Sequence, residues 1–156
     1  MSFYQVNQNK SFEREFNNGY LCCPDGSPGG WPLMKELTTG DILFHYNSRR
    51  GAVLGISRVV HIGQHKGGAS KAAKVIPGTQ CIFYSGRHLS YDDLTLKQQE
   101  GHKKYSGFLE VHTVPLLKRN LGKLLHNSPQ VYLLRIPDGE ARDFIKNRSI
   151  SLDDLK

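Results

Sequence analysis

The 156-residue sequence has no long hydrophobic run and only three cysteines. No segment approaches the roughly 18 apolar residues of a membrane-spanning helix, and residues 1–10 are polar, without the apolar centre of a signal peptide. Cys22 and Cys23 are adjacent and do not easily form a disulfide with each other. If they did, Cys81 would have no cysteine left to pair with. We therefore expect three reduced cysteines and a cytoplasmic protein.

The common signatures of enzyme active sites are also missing. The chain has no G-x-x-x-x-G-K-[ST], no G-x-S-x-G, no H-E-x-x-H and no C-x-x-C. His61 and His65 have the spacing of metal ligands on a helix, but a glycine-rich loop does not hold two imidazoles on one face. Cys22 or Cys23 could act as a nucleophile with a histidine, whereas inert, partly buried cysteines are the commoner case. We expect no metal, no cofactor and no catalytic residue.

Positive charge is in excess, and the excess lies in the middle of the chain. The net charge is +7, and residues 47–104 carry ten Lys or Arg against three Asp or Glu. Such a concentration is typical of proteins that bind a polyanion, because neutralised phosphates supply most non-specific affinity for nucleic acid. A solubilising surface is the alternative. The residues expected to contact phosphates are Arg49, Arg50, Lys66, Lys71, Lys74 and Arg87.

Short apolar runs between turn residues predict an α+β domain. The central strands, 42–46 and 52–61, are joined by a polar connection that ends in Gly51, as a hairpin requires. Other strands are predicted at 3–8, 20–23, 81–84, 108–114 and 131–136, and helices at 12–16, at Pro32, at 115–125 and from Asp138. Residues 62–78, rich in glycine and lysine, predict a long loop. Five or six such strands favour a small, strongly curved sheet or barrel.

Aromatic and neutral polar side chains lie at the ends of these predicted strands and turns. They are Trp31, Tyr46, His45, Tyr20, Asn7 and Ser57. Planar ligands such as nucleobases are held by stacking on aromatic faces and by hydrogen bonds to their polar edges. These residues therefore predict a base-binding pocket, with a place in the core as the alternative for each. His45 and Tyr46 are consecutive in a strand, so we expect only one of them to face a given pocket.

Five sequence segments follow one another in a specific order. They are YQVNQNKSF, GYLCCP, GW followed by M, GDILFHY and GISRV. The series resembles the EVE-type domains of the PUA superfamily, in the version found at the N-terminus of prokaryotic, modification-dependent endonucleases with an HNH nuclease domain. The resemblance implies a curved β-barrel of five to six strands with short flanking helices over residues 1–148. It also implies the start of a linker at 149–156, leading to a nuclease domain through which the protein dimerises.

The resemblance further implies that the domain flips a modified cytosine out of duplex DNA into an aromatic pocket. We expect 5-methyl- or 5-hydroxymethylcytosine, with Trp31 and Tyr46 stacking on the base and Asn7 and Ser57 bonding its edge. Cys22 departs from the family pattern, because members usually carry there a tryptophan that forms one wall of the pocket. Either the pocket is reshaped around another aromatic side chain, or it has lost affinity for the base.

Two functions of other kinds also fit the sequence. An RNA-binding domain of the PUA superfamily would share the fold and the charge, and a comparison of RNA with methylated DNA would separate the two. A small hydrolase or ligand sensor would use His45 or Cys22. It would show turnover, or thermal stabilisation by a metabolite, without salt-dependent binding of DNA.

Overall fold

The computed structural model describes residues 1–8, 12–24, 33, 36–66, 82–84, 87–89, 107–123 and 133–156. Only the backbone is described for residues 14, 22–24, 63–66, 82–84, 87–89 and 107–110.

Eight strands, two α-helices and a C-terminal 3₁₀ helix are present in the described ranges. The strands are β1 (Phe3–Gln8), β2 (Tyr20–Pro24), β3 (Ile42–Asn47), β4 (Ala52–Lys66), β5 (Ile82–Tyr84), β6 (Arg87–Leu89), β7 (Gly107–Lys118) and β8 (Leu133–Ile136). Helix α1 spans Phe12–Asn18, helix α2 spans Asp138–Lys146, and the 3₁₀ helix spans Leu152–Leu155. None of the described helices has the length and apolar character needed to cross a membrane.

Six strands form one curled half-barrel sheet in the order β2-β7-β4-β3-β1-β8, and β5 pairs with β6 in a separate hairpin. β1 runs parallel to β3, whereas the other neighbours in the large sheet are antiparallel. The pairing of β4 shifts register three times, once against β3 and twice against β7. Because bulges bend a strand and increase its twist, these shifts explain the curl. The strongly curved α+β sheet expected from the sequence is therefore confirmed.

Alternating side chains divide the core into two clusters on opposite faces of the sheet. Phe44 packs with Phe144 of α2, their ring centroids 5.3 Å apart, whereas Leu43 packs with Tyr4 on the other face. Successive residues of a strand point to opposite faces, so β1 and β3 are buried on both sides. Burial on both faces explains the nearly continuous apolar run of β3.

Several predicted elements occur where the sequence places them. β1 has the predicted limits, and α2 begins at Asp138 and buries the expected Ala141, Phe144 and Ile145. The turn before β3 is organised by Asp41, whose carboxylate accepts hydrogen bonds of 2.8 Å from the backbone N–H groups of Ser2 and Thr38.

The helix predicted at 115–125 is wrong. β7 continues through Pro115 to Lys118, and Leu116 and Leu117 pack half-buried against the α2 side of the core. Pro115 has no backbone N–H to donate to the neighbouring strand. Its register partner Ser57 lies at a shift in the pairing of β4 with β7. Proline is tolerated in a sheet at such irregularities. The local sequence, leucine-rich after a proline, looks helical because nothing in it reveals the partner strand.

The long loop predicted at 62–78 is wrong in its first part. β4 runs on to Lys66, and its last five residues pair with β7 from Val111 back to Gly107. Gly63 and the polar residues that follow it do not indicate a strand, but β7 supplies the backbone hydrogen bonds. Residues 67–78 lie outside the described ranges.

Residues 149–156, expected to begin a linker, pack onto the domain. The hydroxyl of Ser151 accepts a hydrogen bond from the N–H of Asp153 and caps the 3₁₀ helix. Leu155 is 1% exposed and belongs to the core cluster of Phe44. The nuclease domain implied by the resemblance stays a prediction.

Candidate functional site

Four buried polar side chains form a continuous chain of hydrogen bonds, the buried relay, across three strands and a helix. The hydroxyl oxygen of Ser57 in β4 lies 2.6 Å from Nε2 of His45 in β3. Nδ1 of His45 lies 2.7 Å from Oε1 of Gln8 in β1, and Nε2 of Gln8 donates to the carboxylate of Glu15 in α1. Ser57, His45 and Glu15 are 0% exposed. The relay therefore ties α1 to the centre of the sheet.

The relay determines where the protons of His45 lie. Oxygen atoms of a carboxylate accept hydrogen bonds, so Gln8 presents its amide N–H to Glu15 and its carbonyl oxygen to His45. Nδ1 of His45 therefore carries hydrogen, and Nε2 accepts from the hydroxyl of Ser57. Burial lowers the pKa of His45 from 6.5 to about 3. The imidazole is consequently neutral at pH 7.

Two phenylalanines of α1 cover the imidazole of His45. The ring centroid of Phe16 lies 5.0 Å from that of His45, edge to face, and the centroid of Phe12 lies 6.1 Å away. Hydrogen bonding of a serine to a neutral histidine is an arrangement that activates nucleophiles. With Ser57 and His45 both fully buried, this pair contacts no solvent. The geometry favours a structural role for the relay.

Asn7 and Tyr46 form a second, partly exposed pair at the end of the same strands. They are register partners in the parallel β1–β3 ladder, which is regular through this point. Because strand side chains alternate, Tyr46 faces away from His45, and Asn7 faces away from Gln8. Both side chains are half-buried, and Oδ1 of Asn7 accepts a 3.0 Å hydrogen bond from Nε2 of Gln5.

The turn that follows Tyr46 presents two arginines to solvent. Oδ1 of Asn47 accepts hydrogen bonds of 3.0 and 3.1 Å from the backbone N–H groups of Arg49 and Arg50. Gly51 closes the turn with φ of +60°, a conformation that glycine adopts without strain. Both arginine side chains are exposed. A defined hairpin turn thus places two exposed arginines directly after the strand end that carries Tyr46.

Five of the predicted pocket residues are described with their side chains, and these five do not lie in one place. His45 and Ser57 meet in the buried relay, and Asn7 and Tyr46 meet on the other face. Tyr20, 4% exposed, lies in β2, three strands from β3 in the sheet order.

The remaining predicted site residues are described only in part. Cys22 lies in β2 opposite Glu110, Lys66 ends β4 and Arg87 begins β6, each with its backbone alone described. Trp31, Lys71 and Lys74 lie outside the described ranges. The base-binding and phosphate-binding roles of all these residues stay predictions.

His61 and His65 do not have the helical geometry that their spacing suggests. Both lie in β4, where four residues span about 13 Å. His61 instead faces His112 across the β4–β7 ladder, with ring centroids 5.6 Å apart. Within the described residues no group of three His, Cys, Asp or Glu side chains could hold a metal ion.

Sequence reasoning missed three features of this region. Gln8 and Glu15 were not expected in any site, because a polar strand end and a helical glutamate are ordinary surface patterns. The His61–His112 pair depends on the β4–β7 register, which has no local signal. Arg119 and Lys123, the basic residues after β7, lie outside the stretch 47–104 in which the excess of positive charge is concentrated, so composition gives no signal for them.

No family model and no curated protein matches the sequence. Among solved structures, the ASCH protein of Zymomonas mobilis is similar, with a TM-score of 0.56, 11% identity and coverage of 93% of this chain and 94% of that chain. A single-site variant of it has a TM-score of 0.58, 11% identity and coverage of 94% and 96%. A protein from Pseudomonas syringae has a TM-score of 0.53, 12% identity and coverage of 94% and 99%. At such identities the likeness shows the fold alone, an α+β fold with the curled sheet that the ASCH protein shares, and it does not distinguish an EVE-type domain.

Proposed function

We propose that this chain is a nucleic-acid-binding domain that recognises a modified base. Its proposed ligand is duplex DNA in which a 5-methyl- or 5-hydroxymethylcytosine is flipped out of the helix. The observation that carries the proposal is the half-buried pair Asn7 and Tyr46, aligned on neighbouring strands beside the exposed Arg49 and Arg50. An aromatic face stacks on a base, and an amide bonds its polar edge.

The charge supports the same function. Arginine binds phosphate through a planar fork of donors, and Arg49 and Arg50 stand on a turn whose backbone Asn47 orders. The net positive charge of residues 47–104 adds to this local pair. The PUA-like fold is the one that the EVE resemblance implies.

We further propose that the domain binds DNA and leaves cleavage to a linked nuclease domain in a longer protein. In support, His45 and Ser57, which have the chemistry of a nucleophilic pair, are both 0% exposed and held in the relay. On this proposal the buried relay has a structural role, because it supports the ends of the strands that carry Asn7 and Tyr46.

The decisive experiment compares duplexes of one sequence carrying cytosine, 5-methylcytosine or 5-hydroxymethylcytosine, with an RNA of the same sequence as a fourth ligand. We expect tighter binding to one of the modified duplexes. Equal affinity for all three duplexes would contradict base recognition, and tighter binding to the RNA would show that the ligand class is wrong.

Two variants connect this preference to Tyr46. Tyr46→Ala removes a stacking surface worth about 1–3 kcal/mol per base, so the modified duplex should bind roughly 5- to 150-fold more weakly. Tyr46→Phe is the matched control, because it keeps the aromatic face, and it should retain most of the affinity. If Tyr46→Ala is folded and keeps the full preference, the base lies elsewhere.

A further inference from the structure

The segment after β7, residues 119–123, extends the sheet beside Val53 of β4. The N–H of Val53 donates to the carbonyl oxygen of Gly122 at 3.0 Å, and the N–H of Leu121 donates to that of Val53 at 2.8 Å. Val53 is the register partner of Tyr46. Since neighbouring strands lie about 4.8 Å apart, the backbone of residues 121–122 lies about 10 Å from that of Tyr46. Long side chains of this segment can reach the surface around Tyr46.

The segment is held in place by side chains at both of its ends. Oδ1 of Asn120 accepts a 2.8 Å hydrogen bond from the N–H of Gly122, which has φ of +87°. Arg148, just after α2, donates to the carbonyl oxygens of Leu121 and Phe144 and lies with its guanidinium carbon 3.5 Å from the centroid of the Phe144 ring. The segment therefore presents its side chains from a defined backbone.

Two exposed cations project from this segment. Neither Arg119 nor Lys123 forms an ion pair with a residue in the described part of the chain, and the Nη2 of Arg119 donates to the carbonyl oxygen of Arg148 at 3.0 Å. Lys118, which precedes Arg119, is by contrast bound to Glu13 of α1, with 2.6 Å between Nζ and Oε2. These charges are consequently available to an anion from outside.

We infer that Arg49, Arg50, Arg119 and Lys123 form one basic rim on two sides of Tyr46, and that this rim binds the phosphates of nucleic acid. The inference rests on the proposed function and extends it to a second group of residues. The hairpin turn supplies one side, and the segment after β7 supplies the other. The rim holds the backbone of the strand on either side of the nucleotide that Tyr46 stacks upon.

The test compares two double variants that lose the same charge. Arg119→Gln/Lys123→Gln removes half of the rim. Arg135→Gln/Arg142→Gln is the matched control, because both arginines lie at the end of β1 that is opposite to Asn7. Arg135 is the register partner of Tyr4 in the β1–β8 ladder, and the guanidinium carbon of Arg142 lies 5.8 Å from the centroid of the Phe3 ring. Affinities for a modified and an unmodified duplex are measured over a series of salt concentrations, and thermal unfolding confirms that each variant folds.

We expect the rim variant to weaken both duplexes by similar factors, about tenfold or more in 0.1 M salt. The slope of log K against log salt should become less negative by about 1–2, because each lost phosphate contact changes it by roughly 0.9. The control should change the slope by less than half as much. A rim variant that behaves like the control would overturn the inference, and so would a wild-type protein whose nucleic-acid binding does not respond to salt.

The same measurements separate this inference from the proposed function. Equal wild-type affinity for the two duplexes, with a reduced slope in the rim variant, would contradict base recognition and support the rim. A preference for the modified duplex, with an unchanged slope in the rim variant, would support base recognition and contradict the rim.

Discussion

The ring of Phe16 occupies the space that a side chain at residue 55 would need. A Cβ atom built on Gly55 would lie 2.6 Å from Cε2 of Phe16, closer than real side chains approach. Gly55 is the register partner of His45, whose imidazole Phe16 contacts edge to face. A glycine near the start of β4 thus allows α1 to cover the buried histidine.

Gly55→Ala should therefore destabilise the domain. Phe16 would have to move from a packed position, and overpacking of this kind costs about 1–3 kcal/mol of the free energy of unfolding. Urea unfolding measures the loss. Gly139→Ala in α2 is the control, since its Cβ would meet nothing within 4 Å and alanine favours a helix. Equal stability of the two variants would show that the ring of Phe16 can move aside without a loss of folding free energy.

His45 should make the protein sensitive to mild acid. Its pKa is about 3 in the folded protein and 6.5 when exposed. Its contribution to stability is therefore fully present above pH 6.5 and decreases as the pH falls toward 3, because over this range only the unfolded chain binds the proton. At 1.36 kcal/mol per unit, about 2 kcal/mol of the free energy of unfolding should be lost by pH 5. Urea unfolding at pH 7.5 and 5 tests this. The loss should be smaller by that amount in His45→Gln, and an equal loss in both proteins would exclude His45 as the cause.

Ser57→Ala should leave Nε2 of His45 without its hydrogen-bond donor. An unsatisfied buried acceptor costs about 1–3 kcal/mol of the free energy of unfolding. Ser2→Ala, which removes a longer 3.3 Å bond to Arg135, should cost about 0.5 kcal/mol or less. Adding Ser57→Ala to His45→Leu should cost much less than adding it to the wild type, because the acceptor is gone. Additive losses would mean that the two side chains are not coupled.

Arg148→Lys should destabilise the protein although it keeps the charge. Lysine cannot bond two carbonyl oxygens in one plane while stacking on Phe144, so we expect a loss of about 1–2 kcal/mol of the free energy of unfolding. Arg142→Lys is the control, since Arg142 forms an exposed pair with Asp138 that is worth less than about 1 kcal/mol. Thermal and urea unfolding measure both variants, and equal stabilities would show that Arg148 does not hold the segment after β7.

Several elements of the fold could be predicted from local patterns. The limits of β1, the hairpin of β3 and β4, and the inward side chains of α2 follow from alternation, from turn residues such as Gly40 and Gly51, and from the helical period. These signals extend over a few residues and need no knowledge of the partner strand. The charge count likewise indicated Arg49 and Arg50, which the structure leaves exposed.

The residues that depend on distant partners could not be predicted in this way. Pro115 lies in a strand because of the irregular pairing with Ser57, and residues 62–66 lie in β4 because β7 pairs with them. Gln8 and Ser57 meet His45 across 37 and 12 residues of sequence. When the hydrogen-bond partners of a residue lie on another strand, the sequence around that residue gives no signal of them. The sequence was therefore sufficient for the local elements and for the basic character of the chain, whereas the buried relay and the rim around Tyr46 follow from how the strands pair.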